Sequence, residues 1–496
     1  MNTIDRTKNR TSKPRTDWTR QYIGGEWIEG TGEKTLENIN PYNGETIASF
    51  KSAGKDDIDR AYKASLEAGR EWAALPPGKR EEVLRTAVAI IDERKDEIVD
   101  LLVRESGSTM IKAQLEWKSA RRVTDEAASF PYRMKGDILP SDTPGKENRV
   151  VREAKGVIGM IGPWNFPLHL CLRTVAPALA LGNGVVIKPA SDTPITAGFL
   201  IADIFEQAGL PAGVLNVIAG SGSEIGDDFV THPIPKLISF TGSTEVGRGI
   251  GEKAGRELKE VALELGGNNV MVVLDDADVD RAVEAAVFGK FLHQGQICMA
   301  LNRIVIDASV YDEFTRKFVE KVKGLKYGDP SDPETLVGPL IHAKEVERLQ
   351  KEIDAAVKGG AKLAAGGGAN GSVLEPSVLI DVDPKQEIVQ KELFGPVALL
   401  IQAKDEEDAI AIANDTEYGL SGSVFSGNIE RGYRAAKRIE TGMVHVNDQS
   451  VNDEAHVMFG GEKASGLGRF GGEWAIEKFT RSRWISIQQP YRDFPI

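Results

Sequence analysis

Cysteine is scarce: Cys171 and Cys298 are the only two in 496 residues. That excludes a disulfide framework and points to a reducing compartment, the cytoplasm. Positive charge is outweighed, with 61 Lys and Arg against 74 Asp and Glu for a net −13. Gripping nucleic-acid phosphates or anionic lipid needs basic patches, so neither partner is expected. No run of about 20 uninterrupted apolar residues is present to span a bilayer. Residues 1–17 hold several Lys and Arg but no apolar stretch, and read as a disordered polar head, not a secretory signal. The six histidines (His169, His232, His293, His342, His445, His456) show no ligand spacing, so no metal is expected.

What remains is an ordinary globular composition, 41% hydrophobic and 27% charged, long enough for two or three domains. Asp57 to Ala74 and Lys79 to Glu105 place apolar residues at three- and four-residue spacings and read as two long helices. From Gly156 short apolar strands alternate with helices. The strands are Val157–Ile161, Val185–Ile187, Val214–Ile218 and Leu237–Phe240, with helices near Pro194–Ala208 and Ser223–Thr231. Such alternation implies right-handed crossovers, a parallel sheet and an α/β fold. A second series follows Gly266-Gly267, a plausible hinge. It has a strand at Val270–Leu274 and helices over Val279–His293 and Ser309–Val322. A further helix carries Val346, Leu349, Ile353, Ala356 and Val357 on one face.

Two G-x-G-x-x-G patterns occur, Gly366/Gly368/Gly371 and Gly466/Gly468/Gly471. Neither directly follows a strand and opens a helix, so both read as chance matches. Better placed is Gly220-Ser221-Gly222-Ser223-Glu224-Ile225-Gly226, after a strand and at a helix start, although its last glycine falls one residue late. Phe240-Thr241-Gly242-Ser243-Thr244 makes another strand-to-helix turn, whose free N–H groups can face a pyrophosphate. Lys188 ends a strand, where open α/β sheets collect ligands.

Cysteines among apolar neighbours are usually inert hydrophobes, which fits Cys171. It does not fit Cys298, which follows the polar loop Gln294-Gly295-Gln296. Upstream, Glu264 opens Glu264-Leu265-Gly266-Gly267. With them come Pro163-Trp164-Asn165-Phe166-Pro167, Lys188-Pro189-Ala190-Ser191, Phe240–Thr244 and Glu392-Leu393-Phe394-Gly395-Pro396. In this order, from about Trp18 onward, these motifs resemble the aldehyde dehydrogenase superfamily.

The resemblance implies two doubly wound α/β domains and a small oligomerisation sheet. The dinucleotide-binding domain would take residues 18–135 and 155–265, the catalytic domain 266–470, and the oligomerisation element 136–154 and 471–496. In that element a hairpin over Gly136–Glu153 would join a strand near Arg483–Gln488, giving a homodimer or homotetramer. The resemblance makes Cys298 the nucleophile toward an aldehyde, the Asn165 amide an oxyanion donor, and Glu264 the general base that hydrolyses the thioester. It places NAD or NADP against Ile161, Pro163, Trp164, Lys188, Ala190, Ser191, Gly222, Gly226, Phe240, Gly242, Ser243, Leu265, Glu392 and Phe394. Many NAD-preferring members have Glu where this chain has Ser191; serine neither grips both ribose hydroxyls nor repels a 2′-phosphate, so NADP is expected to be tolerated beside NAD.

For the substrate, His445–His456 and Lys188–Pro194 resemble the benzaldehyde/vanillin dehydrogenase branch, with Met458 where that branch more often has proline. Phe166, Leu170, Leu292, Ile297 and Phe459 would line an apolar tunnel suited to a planar ring. Arg173 falls where succinate semialdehyde dehydrogenases pair an arginine with the substrate carboxylate; a structural ion pair is an equal reading. Three readings stand: an aromatic aldehyde oxidant, an ω-semialdehyde oxidant, and a silent scaffold of the crystallin kind. A hydrolase-like Cys298–His293 dyad rests on one histidine near a cysteine and leaves the cofactor motifs without purpose.

Overall fold

The computed structural model describes residues 14–495. The head expected over residues 1–17 therefore falls mostly outside the described residues. Its last part is anchored: Arg15 donates its backbone N–H to Asp203 Oδ2 at 3.2 Å, and its guanidinium lies 4.2 Å from the Trp27 ring.

Helix α1, Lys55–Ala74, buries Ile58, Ala61, Tyr62, Ser65, Gly69 and Trp72, one apolar stripe at helical spacing. The single helix expected over Lys79–Glu105 is two, α2 (Pro77–Glu93) and α3 (Lys95–Ser106). The break is Arg94, buried and bonded through its guanidinium to Asp203 at 2.5 Å and Glu97 at 2.7 Å. Apolar spacing runs through the break unchanged, so only this buried pair marks it. Helix α4, Met110–Ala127, was not expected at all.

The first large sheet has eight strands, five of them parallel at its centre. From one side these run Leu215–Val217, Gly184–Lys188, Val157–Ile161, Leu237–Thr241 and Glu260–Glu264. In chain order that is 3-2-1-4-5, a doubly wound sheet whose order reverses between Val157–Ile161 and Leu237–Thr241. Strands Val157–Ile161 and Gly184–Lys188 are buried along their whole length, which is why they read as unbroken apolar runs. Helices α5 (Pro167–Ala180), α6 (Leu200–Gln207), α7 (Gly222–Thr231) and α8 (Thr244–Arg256) connect them.

A second sheet of seven strands follows Gly266-Gly267, with Leu301–Asp307 and Asn269–Val273 near its middle. Helix α9, Val279–Phe291, precedes the loop that carries Cys298. The helix expected to reach His293 stops at Phe291, because His293 (φ 50), Gln294 (φ 57) and Gly295 (φ 72) are left-handed. Gly295 has no alternative there: a Cβ would meet the Gly395 carbonyl oxygen at 2.3 Å. A third, antiparallel sheet joins Asp137–Leu139, Lys146–Ala154 and Thr480–Gln488.

Candidate active site

A cleft of about 520 Å³ opens where the strand order reverses, beyond the carboxyl ends of the central strands. This is where open α/β sheets take ligands. Pro163 and Trp164 line it after the first strand, Ala190 after the second, and Gly242 and Ser243 after Leu237–Thr241. Phe240, Leu265, Glu392 and Phe394 complete the expected lining. Ser243 caps α8, so the first N–H groups of that helix border the cleft. Gly242 keeps the turn shallow, since a Cβ there would sit 2.4 Å from the Phe240 ring. Trp164 and Phe394 meet edge to face at 5.4 Å. Glu392 accepts the Gly267 N–H at 2.9 Å, and burial pushes its carboxyl up to about 7.

Five expected cofactor residues do not line the cleft: Ile161, Lys188, Ser191, Gly222 and Gly226. Lys188 is turned inward, donating to the Pro189 and Gly220 carbonyls at 3.0 and 3.1 Å, and burial lowers its ammonium to about 8. Gly222 and Gly226 start and continue α7, where a Cβ would meet no protein atom within 4 Å. Neither G-x-G-x-x-G match borders the cleft. One surrounds the hairpin near Ala369–Leu374, and the other begins within the antiparallel edge strand Gly466–Leu467. Sequence reading missed Asp192 and His342, which bridge the cleft lining at 3.0 Å. No local pattern links two residues 150 positions apart.

A second, largely apolar cavity of about 260 Å³ lies behind the first, and Asn165 and Cys298 line both. The loop carrying the thiol is tied on several sides. Gln294 donates to the Gly107 and Pro339 carbonyls at 3.0 and 2.8 Å, and Asn269 to the Cys298 carbonyl at 2.7 Å. Asn165 Nδ2 donates to the Gln296 carbonyl at 2.9 Å, joining the two sides of the site. Beneath, buried Lys112 donates to the Asn165 carbonyl at 2.6 Å and pairs with Glu116. Glu116 in turn accepts the Leu168 and His169 N–H groups at 2.9 and 3.2 Å, at the start of α5.

Cys298 is half-buried, and burial pushes its thiol up to about 12, with Arg173 opposing and Glu264, Glu392 and Asp453 adding to the rise. Cys171 is fully buried, its sulfur 2.5 Å from where a Cβ on Gly162 would stand, so it packs as a hydrophobe. Glu264 ends strand Glu260–Glu264 at 2% exposure, next to Leu265 of the cleft wall. Glu264 itself lines neither cavity; among the described residues neither carboxyl oxygen has a hydrogen-bond partner, and burial pushes the group up to about 8. His293 lines neither cavity; its imidazole faces the Asn165 backbone and meets the Phe166 ring edge-on at 5.7 Å, and among the described residues it makes no contact with Cys298 that would form a dyad.

Phe166, Leu170, Leu292, Ile297 and Phe459 line the inner cavity as expected. Arg173 does not. Its Nη1 donates to Asp453 Oδ2 at 3.1 Å, and its guanidinium lies 3.9 Å from the Phe459 ring and 5.2 Å from Phe470. The contact present is thus an ion pair within the protein. Met458 is also absent from the wall. Asp453, Gln449 and Asn452, within the stretch that carried the branch resemblance, do border the cavity, as do His169 and Leu115 and Ser119 of α4. Nothing singled out α4 in sequence, because its lining residues are one apolar and one small polar side chain on an otherwise amphipathic helix.

The model of the aldehyde dehydrogenase family matches residues 27–485. Vanillin dehydrogenase of Corynebacterium glutamicum is 54% identical over 475 residues, 95% of this chain and 98% of that protein. Benzaldehyde dehydrogenase YfmT of Bacillus subtilis is 50% identical over 476 residues, 96% of this chain and 98% of that protein. Among solved structures, an NAD-dependent benzaldehyde dehydrogenase from Corynebacterium glutamicum superposes with a TM-score of 0.89 at 50% identity, covering 98% of this chain and 100% of that one. With a doubly wound sheet, a cleft at its switch point and a thiol at the cleft's inner end, the chain belongs to the aldehyde dehydrogenase family.

Proposed function

We propose that the protein oxidises aromatic aldehydes to carboxylic acids, using NAD or NADP, through a covalent intermediate on Cys298. The observation that carries this is that Cys298 and Asn165 border both cavities. One cavity is an elongated cleft with a helix N-terminus and a glycine cradle, features that suit a dinucleotide. The other is walled by Phe166, Leu170, Phe288, Leu292 and Phe459, which suits a flat ring. Relatives bearing the vanillin and benzaldehyde dehydrogenase names support the same substrate class.

The Cys298 thiol gives its proton to solvent, its thiolate sulfur bonds to the carbonyl carbon, and the oxygen takes the electron pair of the C=O π bond. One Asn165 Nδ2 proton is held by Gln296, and the second is free to meet that oxyanion. Bound NAD or NADP supplies the acceptor for the hydrogen and two electrons that leave the aldehyde carbon. Water then breaks the thioester, its proton passing to Glu264, an unpartnered carboxyl held near neutral pH.

An ω-semialdehyde reading loses its anchor, since Arg173 is already paired with Asp453 and lies outside the cavity wall. NAD is assigned first and NADP is tolerated, because Ser191 brings no carboxylate and Asp192 is engaged by His342. Residues 18–135 with 155–265 form the dinucleotide-binding unit, 266–470 the catalytic unit, and 136–154 with 471–496 the assembly element of a cytoplasmic homodimer or homotetramer. Ile138 (73% exposed) and Trp484 (65%) on that small sheet support the assembly assignment. An aldehyde panel with each cofactor tests the whole reading. Benzaldehydes should be oxidised, Cys298→Ser should abolish turnover, and NAD should exceed NADP in kcat/KM by less than about 10³. Activity confined to succinate semialdehyde refutes it.

A further inference from the structure

One wall of the inner cavity carries a charge that the chemistry above does not use. Asp453 borders the cavity at 13% side-chain exposure, among apolar neighbours. Its Oδ2 accepts from His169 Nε2 at 2.8 Å and from Arg173 Nη1 at 3.1 Å, and Oδ1 accepts nothing among the described residues. Burial works to neutralise this carboxyl, but the Arg173 charge and the His169 bond outweigh it and hold the group ionised, below the usual carboxylate range. Arg173 itself is screened from the cavity by the Phe459 ring. Of the pair, Asp453 borders the cavity, while Arg173 acts on Cys298 and Glu264 through its charge from behind the wall. The loop that presents Asp453 is fixed by its own bonds, with Gln449 Nε2 donating to the Val451 carbonyl at 3.1 Å and Asn452 Nδ2 to the Gln449 carbonyl at 2.8 Å.

We propose that Asp453, oriented by His169 and Arg173, is a specificity-determining acceptor for a hydroxyl group on the ring of the aldehyde, so that the preferred substrates are neutral, ring-hydroxylated benzaldehydes. This rests on the aromatic aldehyde reading and deepens it. A phenolic O–H donating to an ionised carboxylate is a strong, short contact in a low-dielectric wall. A plain phenyl ring leaves that carboxylate desolvated without a further donor.

The test uses the full-length enzyme with NAD, below the pKa of the phenols, on benzaldehyde and its 3- and 4-hydroxy and corresponding methoxy derivatives. At least one hydroxybenzaldehyde should exceed benzaldehyde in kcat/KM by about tenfold or more, and its methyl ether, which cannot donate, should lose that advantage. In Asp453→Asn the ratio of hydroxylated to plain substrate should fall toward one. The same ratio, read from inhibition constants of the matching unreactive benzamides, applies if turnover in the variant is too slow. Equal rates for hydroxyl, methoxyl and plain rings, or a ratio unchanged in Asp453→Asn, overturn this proposal while leaving aromatic oxidation standing. Failure to oxidise any of them overturns the aromatic reading and this proposal with it.

Discussion

Replacing Glu264 by Gln tests the deacylation chemistry most directly. The carboxyl is buried, neither oxygen has a partner, and its pKa is pushed up to about 8 by that burial. A general base works as the carboxylate, so activity must rise with pH through that value. About 9% of the group is ionised at pH 7 and about 90% at pH 9, which predicts a rise near tenfold when thioester hydrolysis limits turnover. The Cys298 thiol, pushed up to about 12, gains thiolate throughout this range, so its slope belongs to kcat/KM for acylation and leaves kcat unchanged where hydrolysis limits turnover. In Glu264→Gln the step centred near pH 8 should vanish, and steady-state turnover should fall by about 10²–10⁴. Acylation does not need the carboxylate. Stopped-flow absorbance should therefore still show a burst of about one reduced cofactor per active site before the slow phase. A variant with wild-type steady-state rate, or one that keeps the pH 8 step, would refute the assignment.

The same substitution should stabilise the fold. A carboxyl whose folded pKa lies above its unfolded value costs stability as pH climbs from about 4.5 toward 8, so Glu264→Gln should raise Tm more at pH 8 than at pH 5. Equal shifts at both pH values would mean that the burial is relieved before unfolding. Asn165→Ala removes the proposed side-chain oxyanion donor and should lower kcat by about 10²–10³ with a much smaller change in KM, measured by steady-state kinetics. Lys112→Met leaves Glu116 charged and buried without its cation and frees the Asn165 carbonyl; denaturant unfolding should show a loss of about 3–5 kcal/mol.

Much of the architecture was legible from local chemistry. Buried parallel strands must be apolar on both faces, so Val157–Ile161 and Leu237–Phe240 announced themselves as short unbroken runs. Turns that approach a neighbouring chain or ring require glycine, so Gly242 and Gly295 stood out inside polar punctuation. The polar loop before Cys298 set it apart from an inert hydrophobe, and the resemblance of Glu264-Leu265-Gly266-Gly267 to a family motif singled out Glu264. These signals lie within a few residues of what they describe, and the chain alone carries them. Contacts between distant segments leave no such trace. The split at Arg94 depends on Asp203, more than 100 residues away, and the role of Arg173 on Asp453, 280 residues away. The sequence left substrate anchor and structural pair equally open for Arg173. Folding decided between them, because a buried guanidinium must find a carboxylate and two rings to lie against, and only the tertiary arrangement brought those within reach.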